Sequence, residues 1–231
     1  MPGKTINNGG KPVSHGREIR RLGHFSDRER WMQAQYLFKQ YQGVAVRCRY
    51  VVPESVKAAG KSDLAQLKSH LFKALSGVIL EHPMLQVGLI DTDQRVAKFV
   101  EIDSIDLDRH VTWHTWIIEE YDQKVEESMV TEVDTRFEES QAATTPGWRL
   151  IVSCPQDGAD WFDANFVFKH TIADGMSGKL FHKTLLSHLN ETTTDGANAL
   201  LKGHVLDLTT TGKPRTYPPP IDKMVKFSVP A

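Results

Sequence analysis

The chain has 231 residues, and its 28 Lys+Arg against 29 Asp+Glu leave a formal charge of −1, with no basic excess to neutralise a phosphate backbone. That argues against nucleic acid as a partner, and a 40% share of hydrophobic residues excludes global disorder. At about 150 residues per domain the length allows one large domain or two small ones. Cys48 and Cys154 sit in apolar segments without metal-type spacing, which excludes a disulfide scaffold and a thiolate zinc site and leaves reduced, buried thiols. No apolar run reaches the ~18–20 residues of a membrane span. The stretch from Met1 to Gly16 is polar and lacks the apolar centre of a signal peptide, so a cytoplasmic protein is expected and the Asn190-Glu191-Thr192 sequon is discounted.

Residues 1–19 read as a disordered polar leader. Ser26 followed by Glu29 forms a capping-box pattern, and Trp31, Ala34, Phe38 and Tyr41 recur at helical spacing before Gly43, predicting a helix with those four as its core stripe. Val44 to Val52 alternates apolar with Ala45, Arg47 and Arg49, as a half-buried strand does. A second helix, capped by Ser62, carries Leu64, Leu67, Leu71, Leu75 and Val78 on one stripe and ends at His82-Pro83, because the residue before proline avoids helical geometry. Met84 to Ile90 and Val96 to Ile102 predict a hairpin, and Ile117 to Phe137 a charged helix. Trp148 to Cys154 and Trp161 to Phe168 complete the strands, and Gly175 opens a last helix through Leu189. Beyond it, residues 192–231 read as an extended, Pro-containing tail or linker. The expected fold is α/β, a two-layer mixed sheet with flanking helices, over a half-domain of residues 20–191.

Chemistry concentrates at the end of the strand Trp161 to Phe168. Phe162, Ala164, Phe166, Phe168 and His170 share one face, Asp163, Asn165, Val167 and Lys169 the other, so His170 leaves the apolar face where the strand ends. An imidazole there can reach a cleft, whereas its bland alternative is a strand-end packing histidine. Histidine titrates near neutrality without a large perturbation, and a tight turn can fix its tautomer by placing a carbonyl or carboxylate on the far ring nitrogen. Asp174, four residues on, fits a buried brace of that turn better than an acid or base, and Gly175 and Gly178 would let the backbone turn into the helix. Two other patterns carry less. His110 and His114 stand four apart, as a helical metal pair would, but have no third ligand nearby and read as packing or solvated residues. Gly60-Lys61-Ser62 ends like a phosphate loop, but position 55 is Ser where that loop needs Gly.

His170-Thr-Ile-Ala-Asp174-Gly175 resembles the His-x-x-x-Asp-Gly signature of the chloramphenicol-acetyltransferase-like superfamily, which includes BAHD acyltransferases, condensation domains of peptide synthetases and fungal alcohol acetyltransferases. Leu22-Gly23, Arg28-Glu29-Arg30, Arg49-Tyr50, His82-Pro83-Met84-Leu85, Pro146-Gly147-Trp148-Arg149-Leu150 and Pro218-Pro219-Pro220-Ile221 resemble the alcohol acetyltransferase branch. The resemblance implies direct acyl transfer from acetyl-CoA, a co-substrate rather than a resident cofactor, to a small-molecule alcohol. His170 would be the base, Asp174 a structural partner of an arginine, and Gly175 the space for ligand. Relatives of this kind are about twice as long, with a second half that carries an Asp-Phe-Gly-Trp-Gly type motif not found here. A partner half or self-association is therefore expected, with apolar surface uncovered beside Phe166, Phe168 and His170. Two other functions stay open: a non-catalytic half-domain used for binding, and a condensation-type amide or ester former, in which a second His usually stands where this chain has Lys169.

Overall fold

The computed structural model describes residues 21–58, 61–191, 199–210 and 215–219. The polar leader and part of the phosphate-loop-like stretch lie outside the described residues. In chain order the elements are β1 (Arg21–His24), α1 (Asp27–Leu37), β2 (Val44–Val51), β3 (Lys57–Ala58), β4 (Lys61–Ser62), α2 (Leu64–Glu81), β5 (Val87–Ile90), β6 (Lys98–Glu101) and β7 (Ser104–Asp106). They continue with α3 (Leu107–His110), β8 (Val111–Trp116), α4 (Tyr121–Asp134), β9 (Trp148–Pro155), β10 (Trp161–Phe168), α5 (Gly175–Asn190), β11 (Leu201–Lys202) and β12 (Val205–Asp207).

The central sheet runs β2-β10-β9-β8, antiparallel except for the parallel β8/β9 pair, so it is mixed as expected. β10 is central, with Phe166 opposite Val46 on one side and Leu150 on the other. Helices α2 and α5 pack together over the face that carries Phe162, Phe166 and Phe168, where the Phe166 and Phe181 rings stack at 3.8 Å. Helix α4 lies against β10 and β2 and adds a partial third layer to the expected two. β5 and β6 form the expected antiparallel pair, extended by β1 to the order β1-β6-β5.

The capping box forms: Ser26 Oγ accepts from the Glu29 amide at 3.2 Å, and the Glu29 carboxylate accepts from the Ser26 amide at 2.6 Å. The stripe expected below it does not. Trp31 and Phe38 are 62% and 77% exposed and Tyr41 is 37% exposed, whereas Gln33 and Tyr36 are buried. The reason is that α1 docks on polar groups rather than on the aromatic core, as the Tyr36 hydroxyl bonded to the Phe137 backbone shows. In α2 the cap is Asp63, not Ser62, its carboxylate accepting from the Ala65 and Gln66 amides at 2.9 and 3.2 Å. The segment read as a tail is partly built in, since β12 pairs with β7 and with β11, and Leu206 and Leu208 are buried.

Of the apolar surface expected to be partly uncovered beside Phe166, Phe168 and His170, the two phenylalanines are closed over by α5. That closure needs Gly178, where a Cβ would come within 2.5 Å of a Val46 methyl and 3.3 Å of the Phe168 ring. The turn into α5 uses no left-handed glycine: Gly175 and Gly178 both keep ordinary helical backbone, and a Cβ on Gly175 would meet open space. Glycine serves close packing at Gly178 and not the turning that its place in the sequence suggested.

Candidate active site

β10 ends at Phe168, and the Lys169 amide, donating to the Gly147 carbonyl at 2.8 Å, is the last bond that ties this strand end to the segment leading into β9. The chain then folds back, with the Ile172 amide donating to the Lys169 carbonyl at 3.1 Å. This turn puts the His170 ring against its own main chain: Nδ1 lies 2.9 Å from the Ala173 carbonyl oxygen. A carbonyl only accepts, so Nδ1 carries a proton, and in the neutral ring this bond selects the tautomer whose lone pair is on Nε2. His170 is half-buried, with the Tyr41 ring at 5.6 Å.

Asp174 is the N-cap of α5. Its Oδ1 accepts from the Ser177 amide and the Ser177 hydroxyl, both at 2.8 Å, and these bonds, with the nearby Arg28 and His170 adding to them, hold its carboxyl below the usual range against some desolvation. The sequence reading made Asp174 a buried brace paired with an arginine. Among the described residues Asp174 is half-buried, lines the cleft and has no arginine within ion-pair distance, its Oδ1 being bonded to the amide and hydroxyl of Ser177.

His170, Asp174 and Ser177 line one wall of a cleft of ≈ 860 Å³. The opposite walls come from the N-terminal segment and from residues distant in sequence: Leu22, Phe25 and Met32 of the first elements, Met84 after α2, Phe99 of β6, and Tyr217-Pro218-Pro219. The floor is apolar, with Phe25, Phe99 and Ile172 buried, while His24, Asp27, Arg28 and Arg30 form an exposed, charged lip. The sequence placed His170 and Asp174 in one turn and at a helix start. It did not assign the walls, although Leu22-Gly23, Arg28-Glu29-Arg30 and Pro218-Pro219 were already visible as a pattern.

The other candidates fall elsewhere. His110 closes α3, buried against Trp148 with Nδ1 at 2.9 Å from the Trp148 carbonyl, and His114 lies on β8, so the two do not share a helix. Burial lowers the His110 pKa. No group of three or more His, Cys, Asp or Glu able to hold a metal occurs among the described residues. Cys48 and Cys154 are free thiols, and burial pushes the Cys154 thiol up to about 12, which makes it a poor nucleophile.

The arrangement can do proton chemistry with one imidazole nitrogen fixed on a carbonyl and the other without a hydrogen-bond partner among the described residues, on the wall of a cleft of mixed apolar and charged lining. The fold is that of one part of condensation domains. The first condensation domain of the CDA synthetase superposes with a TM-score of 0.54 at 12% identity, over 72% of this chain and 39% of that one. At the level of sequence, a "Probable alcohol acetyltransferase crmB" of Aspergillus fumigatus is 24% identical over 64% of this chain and 32% of its own length. A "Probable alcohol acetyltransferase FCK4" of Fusarium pseudograminearum is 27% identical over 69% of this chain and 32% of its own. The chain thus matches about a third of the length of these curated relatives. The sequence model of the alcohol acetyltransferase family matches residues 55–231, which covers the His170 turn, Asp174 and the helix that follows. This chain belongs to the alcohol acetyltransferase family.

Proposed function

We propose that the chain carries the base-bearing half of an acetyl-CoA-dependent alcohol O-acetyltransferase and that His170 is its general base. The alcohol hydroxyl gives its proton to Nε2 of His170 as the oxygen attacks the thioester carbon. The tetrahedral intermediate then collapses with loss of the C–S bond, and the proton passes from Nε2 to the departing sulfur. Ester and free CoA leave, and the imidazole returns to its starting form. Acetyl-CoA is a co-substrate in this scheme, and no resident cofactor enters it. Asp174 supports the site by starting α5, and Gly175, as the resemblance implies, leaves room for ligand at the turn.

The observation that carries the reading is the bond between His170 Nδ1 and the Ala173 carbonyl on the wall of a large, apolar-floored cleft. It fixes the tautomer that a base needs. Two free cysteines fit the reducing interior of a cell, and no described helix is long and apolar enough to cross a membrane. The exposed lip around Arg28 gives a second half-domain, or a second copy of the chain, a place to close the cleft.

The test supplies acetyl-CoA and a panel of primary alcohols to the purified chain, and reads ester by gas chromatography and CoA thiol by colorimetry. Ester and thiol in equal amounts support the reading. Acetyl-CoA binding without either product, at every protein concentration over a tenfold range, contradicts it and favours the second reading, a half-domain that binds without catalysing.

A further inference from the structure

The residues on either side of His170 are each held by a partner distant in sequence. Lys169 is almost fully buried, at 2% side-chain exposure, and its ammonium donates to the Glu139 carboxylate while lying 4.2 Å over the Tyr36 ring. Tyr36 is itself fixed: its hydroxyl donates to the Phe137 carbonyl and accepts from the Phe137 amide, both at 2.9 Å, and Arg136 stacks on the ring at 4.4 Å. On the other side of His170, the Thr171 hydroxyl donates to the Gln33 side-chain oxygen at 3.2 Å. Gln33 and Tyr36 are the two buried residues of α1, the helix whose Arg28 and Met32 line the cleft. The lysine stem packs on Gly147, where a Cβ would come within 3.2 Å of it.

A buried lysine is a poor choice for cohesion alone, since desolvating an ammonium takes back much of what its partner gives, and a methionine of similar length fills the same space without that cost. A charge held in one place by a carboxylate and a ring face does something that methionine does not, which is to fix direction. We propose that Lys169 is a positioning residue: clamped by Glu139 and Tyr36, it sets the angle at which the strand end presents the His170 ring to the Ala173 carbonyl and to the cleft. The proposal rests on His170 being the base, and its first readout needs no turnover.

That readout is the imidazole ¹⁵N spectrum of the full chain, with the His170 signals assigned by their loss in His170→Gln. In the wild type Nδ1 should be protonated and Nε2 not. In Lys169→Met the two nitrogens should shift toward each other as the tautomers mix. Glu139 is 30% exposed and also accepts from Thr92 Oγ1 at 3.1 Å, so its charge stays hydrated when the lysine is gone and the variant should fold. Where the wild type turns over, Lys169→Met should lower kcat about 10–10²-fold with KM unchanged, the effect of a misplaced group rather than a lost contact. Should Lys169→Met not fold, Glu139→Gln in the same experiment decides. A wild-type His170 spectrum in a folded variant overturns the proposal, and so does failure of both variants to fold, which would make the pair a matter of stability. A wild type without acyl transfer but with the tautomer change would overturn the catalytic reading and leave the positioning intact.

Discussion

The two faces of the central sheet are built on different physics. The face under α2 and α5 is aromatic, with Phe162, Phe166 and Phe168 at 0–1% exposure and the Tyr50 and Phe162 rings stacked at 5.3 Å. The face under α4 and α1 is also buried along β10 but carries ion pairs: Asp163 with Arg49 at 2.8 Å, Lys169 with Glu139, and, one strand over, Arg149 with Glu132. In two of these pairs one member is about 2% exposed and the other 30–46%, so one charge is sealed and its partner stays at the edge of solvent. The aromatic face supplies cohesion, and the charged face supplies direction at the strand end where His170 emerges. Direction has a cost: the Asn165 side-chain amide and Ser153 Oγ are buried there without hydrogen-bond partners among the described residues.

The largest expected effect is on the aromatic face. Phe166→Ala should destabilise by about 3–5 kcal/mol, since it removes a ring stacked on Phe181 in a close-packed layer, and urea unfolding would read the shift in midpoint. A cost below 1 kcal/mol would mean that this face is not where cohesion lies.

On the charged face the cost should depend on which partner is removed. Arg49→Met leaves Asp163, 2% exposed, uncompensated, and should cost about 2–3 kcal/mol, somewhat less than in a fully enclosed pair because Arg49 itself is half in solvent. Asp163→Asn leaves an arginine that water and Asp122, at 3.1 Å, can satisfy, and should cost clearly less. Equal losses in the two unfolding curves would show that sealing one charge has no energetic consequence.

The aromatic side also holds the acid-sensitive groups. His182 accepts the Tyr50 hydroxyl at Nδ1 and donates from Nε2 to the Val46 carbonyl, each at 2.8 Å, and burial lowers its pKa as it does for His82 and His110. A lowered folded-state pKa means that the unfolded chain takes up protons first as pH falls. Stability should therefore be flat above the ordinary imidazole value near 6.5 and drop below it, by at most about 1.4 kcal/mol per pH unit for each such imidazole. Melting curves from pH 8 to 5 should show this bend, and His182→Gln should make it shallower. A bend left unchanged in that variant would place the acid sensitivity elsewhere.

The smallest effect belongs to Asp174. As a half-exposed N-cap, its replacement by Ala should cost about 1 kcal/mol, far below the loss expected of a buried ion pair. A loss of 3 kcal/mol or more in thermal unfolding would restore the brace that the geometry argues against.

These contrasts also mark what the sequence made legible. Period-two and 3.6-residue patterns located β2, α2, β9, β10 and α5 because apolar burial is written locally. The His170 turn was legible for the same reason: its bond to Ala173 and the Ser177 cap of Asp174 each close within three residues. Lys169 and Asp163 read as the second face of a strand, since the partners that allow their burial stand 30 and 114 residues away. Helix α1 was given the wrong face because its docking surface is polar, and apolar spacing then follows the exposed side. β11 and β12, at two and three residues, are too short for any period to show.

The central claim is that the Nε2 lone pair of His170 takes the acceptor proton, and its most direct measurement is the steady-state rate of acetyl transfer by the wild type and by His170→Gln at matched folding, checked by circular dichroism. His170→Gln should lower turnover by about 10²–10⁴-fold with little change in melting temperature, because the ring is only half-buried, just past a strand end. Equal rates in the two proteins would contradict the account.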